Sequence, residues 1–159
     1  MKVVGSPLPH LEYTPVKTAM GPIPKTIIKV IDDVLLRNKV SVLSRTYLVD
    51  GLFTEAKAEI DGKEFVIVER AYMWLKDSDK EGFPLPPDFS KIWMNPILKK
   101  RLPTADYYSL VFQIGRGKFR WLLMSKDVAE KIRREGKASP VDEGHWVYHL
   151  LLEEGEEIA

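Results

Sequence analysis

Residues 40–75 read VSVLSRTYLVDGLFTEAKAEIDGKEFVIVERAYMWL, and the two Asp-Gly pairs within them, Asp50-Gly51 and Asp61-Gly62, decide the fold. Each pair lies between runs rich in Val, Tyr, Thr, Phe and Ile. In that setting Asp-Gly marks a two-residue hairpin turn, because both central residues need positive φ. The stretch therefore reads as a three-stranded meander over residues 40–49, 52–60 and 63–75. Short turns also set the register. Ile60 should face Lys63, Ala58 Phe65, Ala56 Ile67 and Thr54 Glu69, while across the first turn Tyr47 should face Thr54, Arg45 Ala56 and Leu43 Ala58. Alternation then gathers Leu43, Arg45, Tyr47, Thr54, Ala56, Ala58, Phe65, Ile67 and Glu69 on one face. That face mixes small and large apolar residues and should receive a helix. The other face, with Glu55, Lys57, Glu59, Glu64, Val66, Val68 and Arg70, has the alternating charge of a solvated surface.

Upstream, Ile27, Val30, Ile31, Val34 and Leu35 recur at helical spacing and predict an amphipathic helix over residues 25–37, ending near Asn38. The first 24 residues carry Pro7, Pro9, Pro15, Pro22 and Pro24, which predict an extended arm with no long helix or central strand. Downstream, Pro, Gly and Asp interrupt residues 76–105 throughout, and so long an unpatterned connection is often functional. Residues 107–114 and 118–124 read as a hairpin around Gly115-Arg116-Gly117, and Ser125 caps a helix ending at Gly136. Alternation of Trp146, Tyr148, Leu150 and Leu152 predicts a strand over residues 145–153. The fold class is α+β: an antiparallel sheet of about six strands with two amphipathic helices packed on one face. The division is a proline-rich arm (1–24), a single domain (25–153) and an acidic tail (154–159).

The 159 residues are 45% hydrophobic and 30% charged, a balance that fits one globular domain and excludes a long disordered chain. No run reaches the ~20 apolar residues of a membrane span, and the N-terminal residues lack the basic-then-apolar order of a signal peptide. A cytoplasmic protein without membrane contact is expected. The absence of cysteine excludes disulfides, thiolate zinc sites, iron–sulfur clusters and cysteine nucleophiles. Asn38, Asn95 and Gln113 are the only side-chain amides amid abundant Lys, Arg and Glu, which is the bias of a thermophile.

A formal net charge of +1 hides strong segregation. Residues 88–137 hold 12 Lys or Arg against 5 Asp or Glu, whereas residues 138–159 hold six acidic residues and no Lys or Arg. Such a pairing means either a basic functional surface with an acidic tail competing for it, or two regions that neutralise each other.

Four patterns invite a chemical reading. Glu55-Ala56-Lys57 resembles a nuclease Glu-x-Lys strand, but no upstream carboxylate has the right spacing. His145 and His149 are four apart, yet on a strand they stand ~13 Å apart, beyond chelation. Gly115-Arg116-Gly117 is too short for a phosphate loop. Arg45, Tyr47 and Glu69 share the inward face and read either as a buried ion pair or as a site where Arg45 holds an anionic metabolite and Glu69 serves as acid–base group. The leading reading comes from the basic-aromatic block, where Trp93, Tyr107, Tyr108 and Trp121 are interleaved with Lys99, Lys100, Arg101, Arg116, Lys118, Arg120, Arg133 and Arg134. Aromatic platforms beside phosphate-binding cations are how sheets hold single-stranded DNA or RNA. The expected function is non-enzymatic nucleic-acid binding with no cofactor and no metal. The arm and the sheet edge offer routes to a homo-oligomer.

Overall fold

The computed structural model describes residues 1–5, 18–48, 53–74, 105–135 and 146–158. Asp61 and Gly62 take φ of 50° and 78° and close the turn between β4 (Phe53–Ile60) and β5 (Lys63–Trp74). The register across that turn is the expected one, from Ile60 opposite Lys63 to Thr54 opposite Glu69. β3 (Ser41–Leu48) pairs with the outer edge of β4. Asp50-Gly51, where the other turn is expected, lies outside the described residues.

One register expectation is corrected. Tyr47 faces Thr54 and Arg45 faces Ala56, but Val42 rather than Leu43 lies opposite Ala58, because the pairing shifts between Val42 and Ser44. The cause is the way the chain leaves α1 (Lys25–Arg37). Lys39 takes φ 64° and Val40 donates its N–H to Leu35 O, which places Val40 in the core one step out of phase with Arg45. A bulge absorbs the extra residue. Leu43 is thereby 50% exposed and not a core residue.

Among the described residues the sheet has eight strands where about six were expected, and it is not wholly antiparallel. β1 (Lys2–Val4) forms one edge, followed by β8 (Trp146–Leu151), β7 (Lys118–Ser125), β6 (Tyr107–Gly115), β5, β4 and β3. β2 (Thr18–Gly21) pairs with the C-terminal end of β5, so two stretches of the proline-rich arm are strands of the chain's own sheet. β5 and β6 run parallel. A parallel pair needs a long crossover, which residues 75–104 supply in sequence, and it puts β5 and β6 at the centre of the sheet. Ile67–Tyr72 and Tyr108–Phe112 are accordingly buried without alternation, the pattern of strands covered on both faces.

On one face, Ile27, Ile31, Val34 and Leu35 of α1 pack with Ala56, Ala58, Ile67, Ala71, Val111 and Trp121. The alanines at the centre of β4 leave room for the helix. Each buried Ile, Val or Leu contributes about 1.5–3 kcal/mol relative to an exposed one. Asn38 caps the helix by donating Nδ2–H to Val34 O at 2.8 Å. α2 (Lys126–Glu135) begins at Ser125, whose Oγ accepts the Val128 N–H at 3.4 Å, and it packs against β6 and β7. No described helix is long and apolar enough to cross a membrane.

Candidate functional sites on the two faces of the sheet

On the helix-covered face the arrangement centres on Arg45. The small side chain of Ala56 opposite leaves the guanidinium space to reach sideways between β5 and α1. Its Nε and Nη2 donate to the two oxygens of Glu69 at 2.6 and 3.0 Å, and its Nη1 and Nη2 donate to the two oxygens of Asp32 at 3.0 and 2.8 Å. Thr54 Oγ1 completes the Glu69 carboxylate at 2.7 Å. Glu69 is fully buried, with the Arg45 side chain 17% exposed. Burial pulls the Arg45 pKa down, but the hydrogen bonds and charges of Asp32 and Glu69 outweigh it and hold the guanidinium above its ordinary range. Both edges of the fork are occupied by carboxylates, so an anion would have to displace one of them. Tyr47, the third residue of the sequence pattern, is 58% exposed. Asp32 was missed because it sits at the border of the helix's apolar stripe, next to Ile31.

The other face is not the solvated surface its Glu and Lys content suggested. Cross-strand register lines up Met20 of β2, Tyr72 of β5, Phe112 of β6, Arg120 of β7 and His149 of β8 in one row. Tyr72 stacks on Phe112 with ring centroids 4.9 Å apart. Arg70 and Trp74 flank Tyr72 along β5, and all three are buried. Arg120, expected at a nucleic-acid surface, is 3% exposed, and its Nη2 lies 3.3 Å from His149 Nε2. Burial lowers the Arg120 pKa to about 10.

Burial, with the Arg120 charge behind it, also holds His149 below its ordinary 6.5. The unfolded chain therefore takes up this proton first as pH falls. Stability from His149 is fully present above pH 6.5 and is lost as pH falls from there toward the lowered value. Urea midpoints measured between about pH 7.5 and about pH 5 should decline less for His149→Gln than for the wild type. His149 lies on the strand β8, and His145 lies outside the described residues. Among the described residues no group of three or more His, Asp or Glu could hold a metal ion.

The basic block divides. Arg116 and Lys118 are exposed at the β6–β7 turn, and Lys131 and Arg134 are exposed on α2. Lys99, Lys100, Arg101 and Trp93 lie outside the described residues, and Arg133 lies within α2 with its side chain outside them. The aromatic half is largely core. Tyr108 and Trp121 are fully buried, Trp121 donating Nε1–H to Ser109 Oγ at 2.9 Å, whereas Tyr107 is 37% exposed and packs edge-on against Phe65. The acidic end of the chain comes to the basic turn, since Leu152 N–H donates to Gly117 O at 2.8 Å. Of its acids, Glu156 is engaged by the Met1 ammonium at 2.8 Å, and Glu153, Glu154 and Glu157 are exposed.

No family model matches this chain, and neither the curated proteins nor the solved structures contain a significant match.

Proposed function

We propose that the protein is a non-enzymatic binder of single-stranded nucleic acid that works through phosphate contacts, with little base stacking. The observation behind this reading is the exposure of Arg116, Lys118, Lys131 and Arg134 in a segment whose Lys and Arg outnumber Asp and Glu by 12 to 5. Lys99, Lys100, Arg101 and Arg133 extend the same positive excess. Contacts of this kind track the backbone and discriminate weakly between bases. Burial of Trp121 and Tyr108 removes two of the aromatic platforms that base stacking would need. The Arg45 alternative is not favoured, because Asp32 and Glu69 already occupy that guanidinium.

Charge reversal in Arg116→Glu/Lys118→Glu, and separately in Lys99→Glu/Lys100→Glu/Arg101→Glu, should weaken binding of a labelled oligonucleotide at least tenfold, about 1.4 kcal/mol. Because Arg116 and Lys118 are exposed, the unfolding free energy of the double variant should move by no more than about 1 kcal/mol, roughly 0.5 for each surface substitution. Neutralising Glu153, Glu154 and Glu157, with Glu156 left to hold Met1, should strengthen binding by removing acids beside the basic turn. Unchanged affinity in both charge-reversed proteins would overturn the proposal.

A further inference from the structure

Arg70 is 1% exposed, and no described carboxylate forms an ion pair with it. What it does meet is weak: Nη2 donates to the thioether sulfur of Met20, and the guanidinium carbon lies 5.2 Å from the centre of the Tyr72 ring. Among the described residues Arg70 Nε has no hydrogen-bond partner, and neither do Tyr72 Oη and Trp74 Nε1, both on buried side chains. Residues two apart on a strand point the same way, so Arg70, Tyr72 and Trp74 present three unfilled donors in succession along β5. Burial pushes the Tyr72 hydroxyl up to about 12, partly offset by the Arg70 charge, so it stays a donor at neutral pH.

A buried cation without a counter-charge is costly, and each unfilled buried donor adds to the cost. Such a set in a folded chain calls for an explanation, and a bound ion that completes it is one. We propose that Arg70, Tyr72 and Trp74 form a binding site for the phosphate group of a small molecule. The oxyanion takes the Arg70 guanidinium, and its remaining oxygens accept from Tyr72 Oη and Trp74 Nε1. A phosphate group offers a separate terminal oxygen to each of the three donors, whereas on a carboxylate two of them would have to share one oxygen, as Arg45 Nε and Thr54 Oγ1 share Oε1 of Glu69. Met20, 42% exposed and directly opposite Tyr72, marks where the row reaches solvent.

The test is thermal unfolding and calorimetric titration of the full chain with inorganic phosphate, adenosine 5′-monophosphate and, as control, adenosine. Phosphate alone should raise the wild-type Tm by roughly 3 °C or more at saturation. A larger effect of the monophosphate identifies a nucleotide as the source of the group, and equal effects identify free phosphate. Arg70→Met should be at least as stable as the wild type in phosphate-free buffer, because it removes an unmatched buried charge. It should bind phosphate at least tenfold more weakly. Tyr72→Phe removes a single hydroxyl that has no partner, so it should fold normally and lose part of the shift. Arg116→Glu/Lys118→Glu should keep the phosphate shift, which separates this site from the surface cations. The proposal is overturned if neither phosphate compound shifts the wild type, if Arg70→Met and Tyr72→Phe keep the full shift, or if Arg70→Met is much less stable than the wild type.

Discussion

Arg45→Ala is expected to lower the unfolding free energy by about 3–5 kcal/mol, because it leaves the Glu69 carboxylate buried with Thr54 Oγ1 as its one remaining side-chain donor among the described residues. Asp32 adds little to this figure, since its side chain is 35% exposed and water can replace the lost bond. Removing both buried members in Arg45→Leu/Glu69→Leu should recover most of the loss, because the penalty comes from the unmatched charge and not from an absent attraction. Equilibrium urea unfolding of the three proteins checks this. A site kept for an anionic metabolite behaves otherwise: Arg45→Ala would be mild, and a carboxylate or phosphate would stabilise the wild type but not the variant. A change below about 1 kcal/mol in Arg45→Ala would therefore return Arg45 to the list of ligand-binding residues.

Trp121→Ala should cost a comparable amount, about 3–5 kcal/mol. Its side chain is fully buried within the apolar cluster of the helix-covered face, stacks on Tyr148 at 5.2 Å and donates to Ser109 Oγ. Trp121→Phe keeps most of the volume but strands the buried Ser109 hydroxyl, so a loss nearer 1–2 kcal/mol is expected, roughly the effect of one broken buried hydrogen bond. The pair also decides what Trp121 is for. A base-stacking platform would lose oligonucleotide affinity on substitution with little change in stability, whereas a core residue does the reverse. Chemical unfolding and oligonucleotide titration of the same two variants separate these outcomes.

The local half of the fold was legible in the residues, and the long-range half was not. Asp61-Gly62 defined the β4–β5 register because a two-residue turn leaves one pairing that keeps Ala56, Ala58, Phe65 and Ile67 on a common face. The stripe from Ile27 to Leu35 located α1, and Ser125 located the start of α2. The β5–β6 pairing was invisible, since parallel neighbours separated by residues 75–104 share no turn to read. The strands at Lys2–Val4 and Thr18–Gly21 escaped notice because proline content marks where a chain cannot be a central strand but says nothing of short strands between the prolines.

The sites followed the same division. Arg45 and Glu69 were placed together by register alone, whereas Asp32 came from a separate element. Arg70 was read as solvated by analogy with Glu64 and Lys57 on the same face. Its burial depends on its place in a central strand, and in β5 the one available signal was the run Val66, Val68, Arg70, Tyr72, Trp74, in which an arginine stands among large apolar side chains. Arg120 misled for the same reason, since charge in a sequence carries no record of how many strands lie on either side.

Direct titration of fluorescently labelled single-stranded DNA and RNA of about 20 nucleotides, followed by anisotropy, tests the nucleic-acid reading most simply. Binding at micromolar protein in low salt is expected, with affinity falling steeply between about 50 and about 200 mM salt as counterions released from the phosphates compete. Similar affinities for unrelated sequences should accompany it, because contacts between cations and phosphates carry no sequence information. Failure of both oligonucleotides to bind at micromolar protein in low salt would contradict the account and leave Arg116, Lys118, Lys131 and Arg134 as a solvated surface.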